Sequence, residues 1–254
     1  MVINYHNCVI DFYTRCLIYS FRIINSMYLK EFDILEVNPE RSSQQMRTIT
    51  CECGILSRCD GSCCLCQGDT TIMASVNGPV EVKSSKECID QAYIEVTYKP
   101  KVGLPGCPEK SLENFISSTC KSVISVNLHP RASFSIVLQE VENDGSLMSC
   151  CVNAACMALL NAAVPLNYMM AAVTIIVSED GELVLDPTEK QQAAAVAYMM
   201  FVYSSKDFSL IASSSSGQYS DEQFQRCLLI GAESSKQVFK FYRDTMEKQL
   251  ISKV

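Results

Sequence analysis

An α+β fold, with mixed sheets packed against helices in two similar halves, follows from three features of the 254-residue sequence. Residues 93–98 alternate apolar and polar side chains, as a half-buried strand does. Leu112, Phe115, Ile116, Thr119, Val123 and Ile124 recur at helical spacing. The order strands, helix, strand, helix, strands, helix then runs through the chain, with Gly, Asp and Asn at the breaks.

The organised pattern starts at Met46, after a polar break at residues 38–45. Strands are expected at residues 48–56, 62–66 and 70–77. Asp60-Gly61 serves as the first hairpin turn, because both residues tolerate positive φ. The 93–98 strand ends in the loop at residues 103–106 and leads into the helix, which closes at residues 127–130. Residues 134–141 form the next strand, stopped by Asn143-Asp144-Gly145. A helix rich in Ala and Cys begins at Ser146 and ends before Pro165. Strands at 170–177 and 183–185 flank Glu179-Asp180-Gly181, and strands at 194–202 and 208–212 follow. Ser220 and Gln223 form a capping box that opens a C-terminal helix with Phe224, Cys227, Leu228, Val238 and Tyr242 toward the core.

Ahead of this, a helix over residues 16–35 has no steady helical period. Residues 1–45 are read as an extension that is disordered or absent from the mature protein, with Met27 and Met46 as candidate starts. Residues 46–254 form the folded domain.

Composition narrows the function. A net charge of −7 argues against a dedicated nucleic-acid clamp, which needs clustered Lys and Arg. Any RNA contact is local or shared with partners. Fifteen cysteines without a leader-like n-region and h-region point to a reducing compartment, where Cys acts as a small buried hydrophobe. The most membrane-like window, residues 16–24, is interrupted by Arg22 and is too short to span a bilayer, so no membrane partner is expected.

Cys51, Cys53, Cys59, Cys63, Cys64 and Cys66 crowd into one stretch. Cys51 and Cys53 share one sheet face, as do Cys64 and Cys66. The spacing lacks paired CxxC, so structural cysteine is favoured over zinc or redox sensing, and no metal or cofactor is assigned. His129, ahead of Pro130 in a turn, reads as a loop residue rather than a catalyst.

The runs LSRCDGS (56–62), QGDTT (67–71), GPVEVK (78–83), KVGLPG (101–106), LHPR (128–131), NDGS (143–146) and GELVLDPT (181–188) stand in collinear order. Together they resemble the RNase PH family, in particular the ring subunits of the eukaryotic RNA exosome. The resemblance implies the RNase PH fold and a ring of RNase PH-like subunits. It also implies cap subunits with S1 and KH domains, and RNA threaded through a shared channel. It further implies work in 3′-to-5′ RNA processing and degradation, including rRNA maturation and mRNA turnover, in nucleus, nucleolus and cytoplasm.

Active members of that family place a Gly-Thr-Arg run at the start of the second helix to bind phosphate, and acidic residues after the later strand. The matching positions here are Gly145, Ser146 and Leu147, then Gln192 and Tyr198. The guanidinium and both carboxylates are missing, so the resemblance implies a degenerate catalytic site in a structural subunit. Asp186 is the candidate for residual phosphate-dependent exoribonuclease activity, with Glu189 nearby. Lys99, Lys101 and Lys110 surround the loop that faces RNA in the family, with Arg131 a weaker contact. Sheet edges and the Ala-rich helix surface around residues 152–160 are the expected seats of ring neighbours.

Overall fold

The structure, a computed structural model, describes residues 45–252. The candidate helix at residues 16–35 and, except for Gln45, the extension lie outside the described residues. Five strands, β1 (Ile49–Cys53), β2 (Gly61–Gln67), β3 (Thr70–Glu81), β4 (Tyr93–Lys99) and β5 (Ala132–Glu142), form one sheet in the order β1-β2-β3-β5-β4. All neighbours are antiparallel except β4 and β5, whose crossover carries α1 (Cys107–Val123). The second sheet orders β6 (Met170–Val177), β7 (Leu183–Leu185), β8 (Ala197–Ser204) and β9 (Leu210–Gly217) as β7-β6-β8-β9, all antiparallel. Helices α2 (Leu147–Asn161), α3 (Glu189–Ala193) and α4 (Asp221–Ser252) complete the chain. This is the expected α+β arrangement.

Helix α2 packs against β2 and β3 of one sheet and β6 of the other. Ser149 through Leu159 are all buried. A helix apolar all round is a helix covered all round, and Ala and Cys let both sheets approach its backbone. The expectation that its surface at residues 152–160 receives a neighbouring subunit is therefore corrected: that surface is already filled by the chain's own sheets.

The closeness of this packing also explains Gly61. A Cβ on it would lie 2.4 Å from the Ala158 carbonyl oxygen and from the Ala162 nitrogen. Asp60-Gly61 is not the tight turn expected. Strand β1 ends at Cys53, and residues 54–60 form a longer connection pinned by Gly54 N–H donating to Ser62 O (2.8 Å) and Leu56 N–H to Ser62 Oγ (3.0 Å). The two-residue turn is instead Gly68-Asp69, with Gly68 at φ 60. Gly61 is present for contact with α2, not for its φ.

The strand expected from residue 194 begins at Ala197, because Thr188 and Gln191 cap the short helix α3 ahead of it. The last strand runs over Leu210–Gly217 rather than 208–212. At α4 the capping box forms as expected, with Ser220 N–H donating to Gln223 Oε1 (2.9 Å) and Gln223 N–H to Ser220 Oγ (3.3 Å).

One polar side chain sits in the middle of this core. Asn153 donates from Nδ2 to Ala172 O (3.0 Å) and accepts from Ala172 N–H at Oδ1 (2.8 Å). Tyr242 of α4 donates its hydroxyl to the same Oδ1 (2.9 Å). Strand β7 covers β6 only over Ile175–Val177, so the Asn153 amide supplies the partner that Ala172 would otherwise lack. Replacing Asn153 by Ala leaves three buried polar groups unpaired. The expected loss is roughly 3 kcal/mol or more, against about 1 kcal/mol for Tyr242→Phe, read as the difference in urea denaturation midpoints.

Candidate functional site

Where β5 runs out into α2, the chain gathers Arg47, Thr70, Asp144, Gly145, Ser146 and Asp186. Arg47, just ahead of β1, reaches Asp186 Oδ1 with Nη2 at 2.8 Å, while its backbone N–H donates to Asp186 Oδ2 at 3.0 Å. The same guanidinium donates to the carbonyl oxygens of Asp144 (2.9 Å) and Gly145 (3.1 Å). Thr70 adds to this, its hydroxyl accepting from Asp144 N–H (3.0 Å) and donating to Gly145 O (2.7 Å). The Asp186 side chain is 0% exposed and that of Arg47 7%, so both charges depend on this pairing for solvation lost on folding.

Gly145 is held twice over. Its φ is 86°, and a Cβ there would sit 2.6 Å from the Glu189 nitrogen and the Pro187 carbonyl oxygen. Ser146, buried with φ 52°, turns its hydroxyl to Pro187 O (3.0 Å), and its N–H donates to Gln192 Oε1 (3.3 Å). Neither group of Ser146 is left facing outward for an anion. Leu147 follows, half-buried against the main core, with no charge to offer.

The structure brings Ser146, Gln192 and Asp186 together, with Leu147 next in the chain. Tyr198 stands on β8 between Ile176 and Ser216. It packs on the main core, and burial raises the pKa of its hydroxyl. Glu189 lies exposed on α3. A carboxylate that the motifs did not single out, Glu140, accepts the hydroxyl of Tyr98. Burial first and then this bond push the Tyr98 pKa well up.

The lysines share this end of the molecule. Lys99 closes β4 opposite Gln139, whose Nε2 donates to the carbonyl oxygens of Lys99 (3.4 Å) and Pro100 (3.3 Å). Lys101 and Lys110 are exposed, on the loop beyond and on the first turn of α1. Val102 and Leu104 between them are 84% and 93% exposed. Arg131 does not join them. It precedes the first residue of β5, eight positions before Gln139, which is roughly 25 Å along a strand. There its Nε faces Glu87 at 3.5 Å.

Among the described residues no cysteine is joined in a disulfide. Cys51 and Cys53 face the core, while Cys64 and Cys66 occupy the opposite face of the sheet, as their alternation requires. Among the described residues no group of three or more His, Cys, Asp and Glu is arranged to hold a metal ion, and no helix is long and apolar enough to cross a membrane. His129 meets Phe134 edge-on.

Arg47 and Thr70 carried no functional signal in the sequence, since an Arg before a strand and a Thr after a turn are ordinary there. Their role comes from contacts across as many as 139 positions. Asp186→Ala removes the nearer carboxylate from the buried guanidinium and leaves only Asp144 Oδ2 at 3.6 Å, so stability is expected to fall by about 3 kcal/mol. An Arg47→Met, Asp186→Leu double variant is expected to recover part of that loss. Urea denaturation of the two variants side by side checks this.

Three comparisons bear on this site. Residues 45–165 match the first domain of the 3′ exoribonuclease family, RNase PH, and residues 168–234 match the second. The chain is 36% identical to the rice (Oryza sativa) protein named exosome complex exonuclease RRP46 homolog, over 82% of this chain and 94% of that one. It is 31% identical to the Caenorhabditis elegans exosome complex component RRP46 homolog, over 81% and 96%. The crystal structure of rice Rrp46 superposes with a TM-score of 0.76 at 34% identity, covering 81% of this chain and 97% of that one. An archaeal exosome core subunit shares the fold at 16% identity and a TM-score of 0.70, over 80% and 89%. With both of its family domains matched in order, and with relatives covered almost end to end, the chain belongs to the RNase PH, or 3′ exoribonuclease, family.

Proposed function

We propose that this chain is a non-catalytic subunit of an RNA exosome core ring, contributing architecture to 3′-to-5′ RNA processing and degradation. The observation that carries the reading is the state of the would-be phosphate site. Phosphorolysis needs donors and a cation aimed at the attacking phosphate, with acids free to bind metal or move protons. Here the Ser146 amide and hydroxyl are both taken, Leu147 brings no charge, and the Asp186 carboxylate is spent on Arg47. The positions of the two missing acids hold Gln192 and Tyr198.

The ring assignment rests on the relatives, which are named as exosome components. The motifs of this chain are most like those of the ring subunit known as exosome component five. Its partners are then other RNase PH-like subunits, S1/KH cap subunits and RNA in the shared channel. Nucleus, nucleolus and cytoplasm are the compartments, with rRNA maturation and mRNA turnover as the processes served. Lys99, Lys101 and Lys110, grouped at one end, are the RNA contacts of this reading, and Arg131 contributes separately from the far end of β5.

A second reading is a residual phosphate-dependent exoribonuclease. The rice relative is named an exonuclease, and Asp186, with Glu189 nearby, keeps a carboxylate at the site.

Native mass spectrometry of the tagged chain recovered from its own cells, followed by incubation with an oligoribonucleotide and inorganic phosphate, separates the two. Recovery in a hetero-oligomeric ring without release of nucleoside diphosphates is expected. A homo-oligomer that releases nucleoside diphosphates only when phosphate is present would overturn the architectural reading.

A further inference from the structure

The first hairpin places three thiols together on the core face of its sheet. Cys53 of β1 stands directly opposite Cys63 of β2. The ladder around them is anchored by Gly54 N–H to Ser62 O (2.8 Å) at one end and Gly68 N–H to Thr48 O (2.9 Å) at the other. Hydrogen-bonded pairs alternate along an antiparallel ladder. The pairs 54/62 and 48/68 are bonded, so Cys53 and Cys63 form a non-hydrogen-bonded pair. Such pairs bring their Cα atoms to about 4.5 Å, inside the span of roughly 4.4–6.8 Å that a disulfide bridges.

Cys51 adds the third thiol, its Sγ 3.7 Å from that of Cys53. Two positions apart on one strand, Cys51 and Cys53 are separated by about 6.5 Å at Cα, which makes them poorer partners for each other than Cys53 and Cys63. Cys63 is buried and donates its thiol to Ala154 O at 3.1 Å, whereas Cys51 and Cys53 are half-buried at the edge of the sheet. A small oxidant therefore meets β1 first. The contact with Cys53 lowers the pKa of the Cys51 thiol, but the contact with Cys63 and burial outweigh it, so Cys51 stays protonated at neutral pH.

We infer that Cys53 and Cys63 form a peroxide-oxidisable dithiol, whose disulfide staples the edge strand β1 to β2. In the step, one hydrogen peroxide takes one electron from each sulfur. The two S–H bonds and the O–O bond break, the S–S bond forms, and the protons and oxygens leave as two waters. The bridge closes the loop at residues 54–62 and releases the Cys63 thiol from Ala154 O. Edge strands open more readily than central ones, so the staple acts on the element of this sheet that most needs holding.

The test uses the full 254-residue chain, reduced, treated with hydrogen peroxide, alkylated with N-ethylmaleimide and mapped as non-reduced peptides. The expected result is a cross-link joining Cys53 to Cys63, reversed by dithiothreitol, kept in Cys51→Ser and lost in Cys53→Ser. Hydrogen exchange of the β1 amides should slow in the oxidised form. Full alkylation of both residues after peroxide, or a cross-link joining other cysteines, would overturn the inference. The wild-type map decides the question even if a variant fails to fold.

Discussion

A helix enclosed between two sheets has no water to satisfy its polar groups, and that constraint shapes the rest of the molecule. Helix α2 meets it at three levels. At its head, Ser146 and the carbonyls before it are taken by Arg47, Thr70, Pro187 and Gln192. In its middle, Asn153 closes a hydrogen-bond set with β6 and α4. Along its length, small side chains and Gly61 admit the first sheet to van der Waals distance.

The same solution occupies the polar groups at the head of α2. A phosphate-binding helix terminus needs unpaired donors facing solvent, whereas here the amide and hydroxyl of the N-cap residue Ser146 are turned to the chain itself. The Arg47–Asp186 pair is costly to bury and costlier to break. Its carboxylate therefore reads as a structural group standing where a sequence comparison would look for an acid.

Much of this was legible in the sequence. The period-two and helical patterns predicted most strands and helices in order, because most have one buried face; β6 and α2 are buried all round, and the short helix α3 was missed. The Ala- and Cys-rich stretch at residues 147–161 announced close packing, but local pattern does not tell a chain's own sheet from a neighbour's surface, so the partner was misassigned. Asp60-Gly61 looked like a turn since composition cannot separate a glycine needed for φ from one needed for contact. The positions of Ser146, Leu147, Gln192 and Tyr198 were read from the motifs. The Arg47 clasp was not, since nothing local marks an ion pair formed between residues 139 positions apart.

That distance has a consequence for how the chain reaches its native state. Arg47 and Asp186 are 139 residues apart, and the loop they close holds the whole first sheet, α2 and the first two strands of the second sheet. Long closures carry an entropic cost that must be met before the contact rewards it. The clasp therefore belongs to the late stage of folding, after β5, α2 and β6 have assembled around it. Until then the segment ahead of β1 is held only by its local pairing with β2, and neither half of the domain is finished without the other.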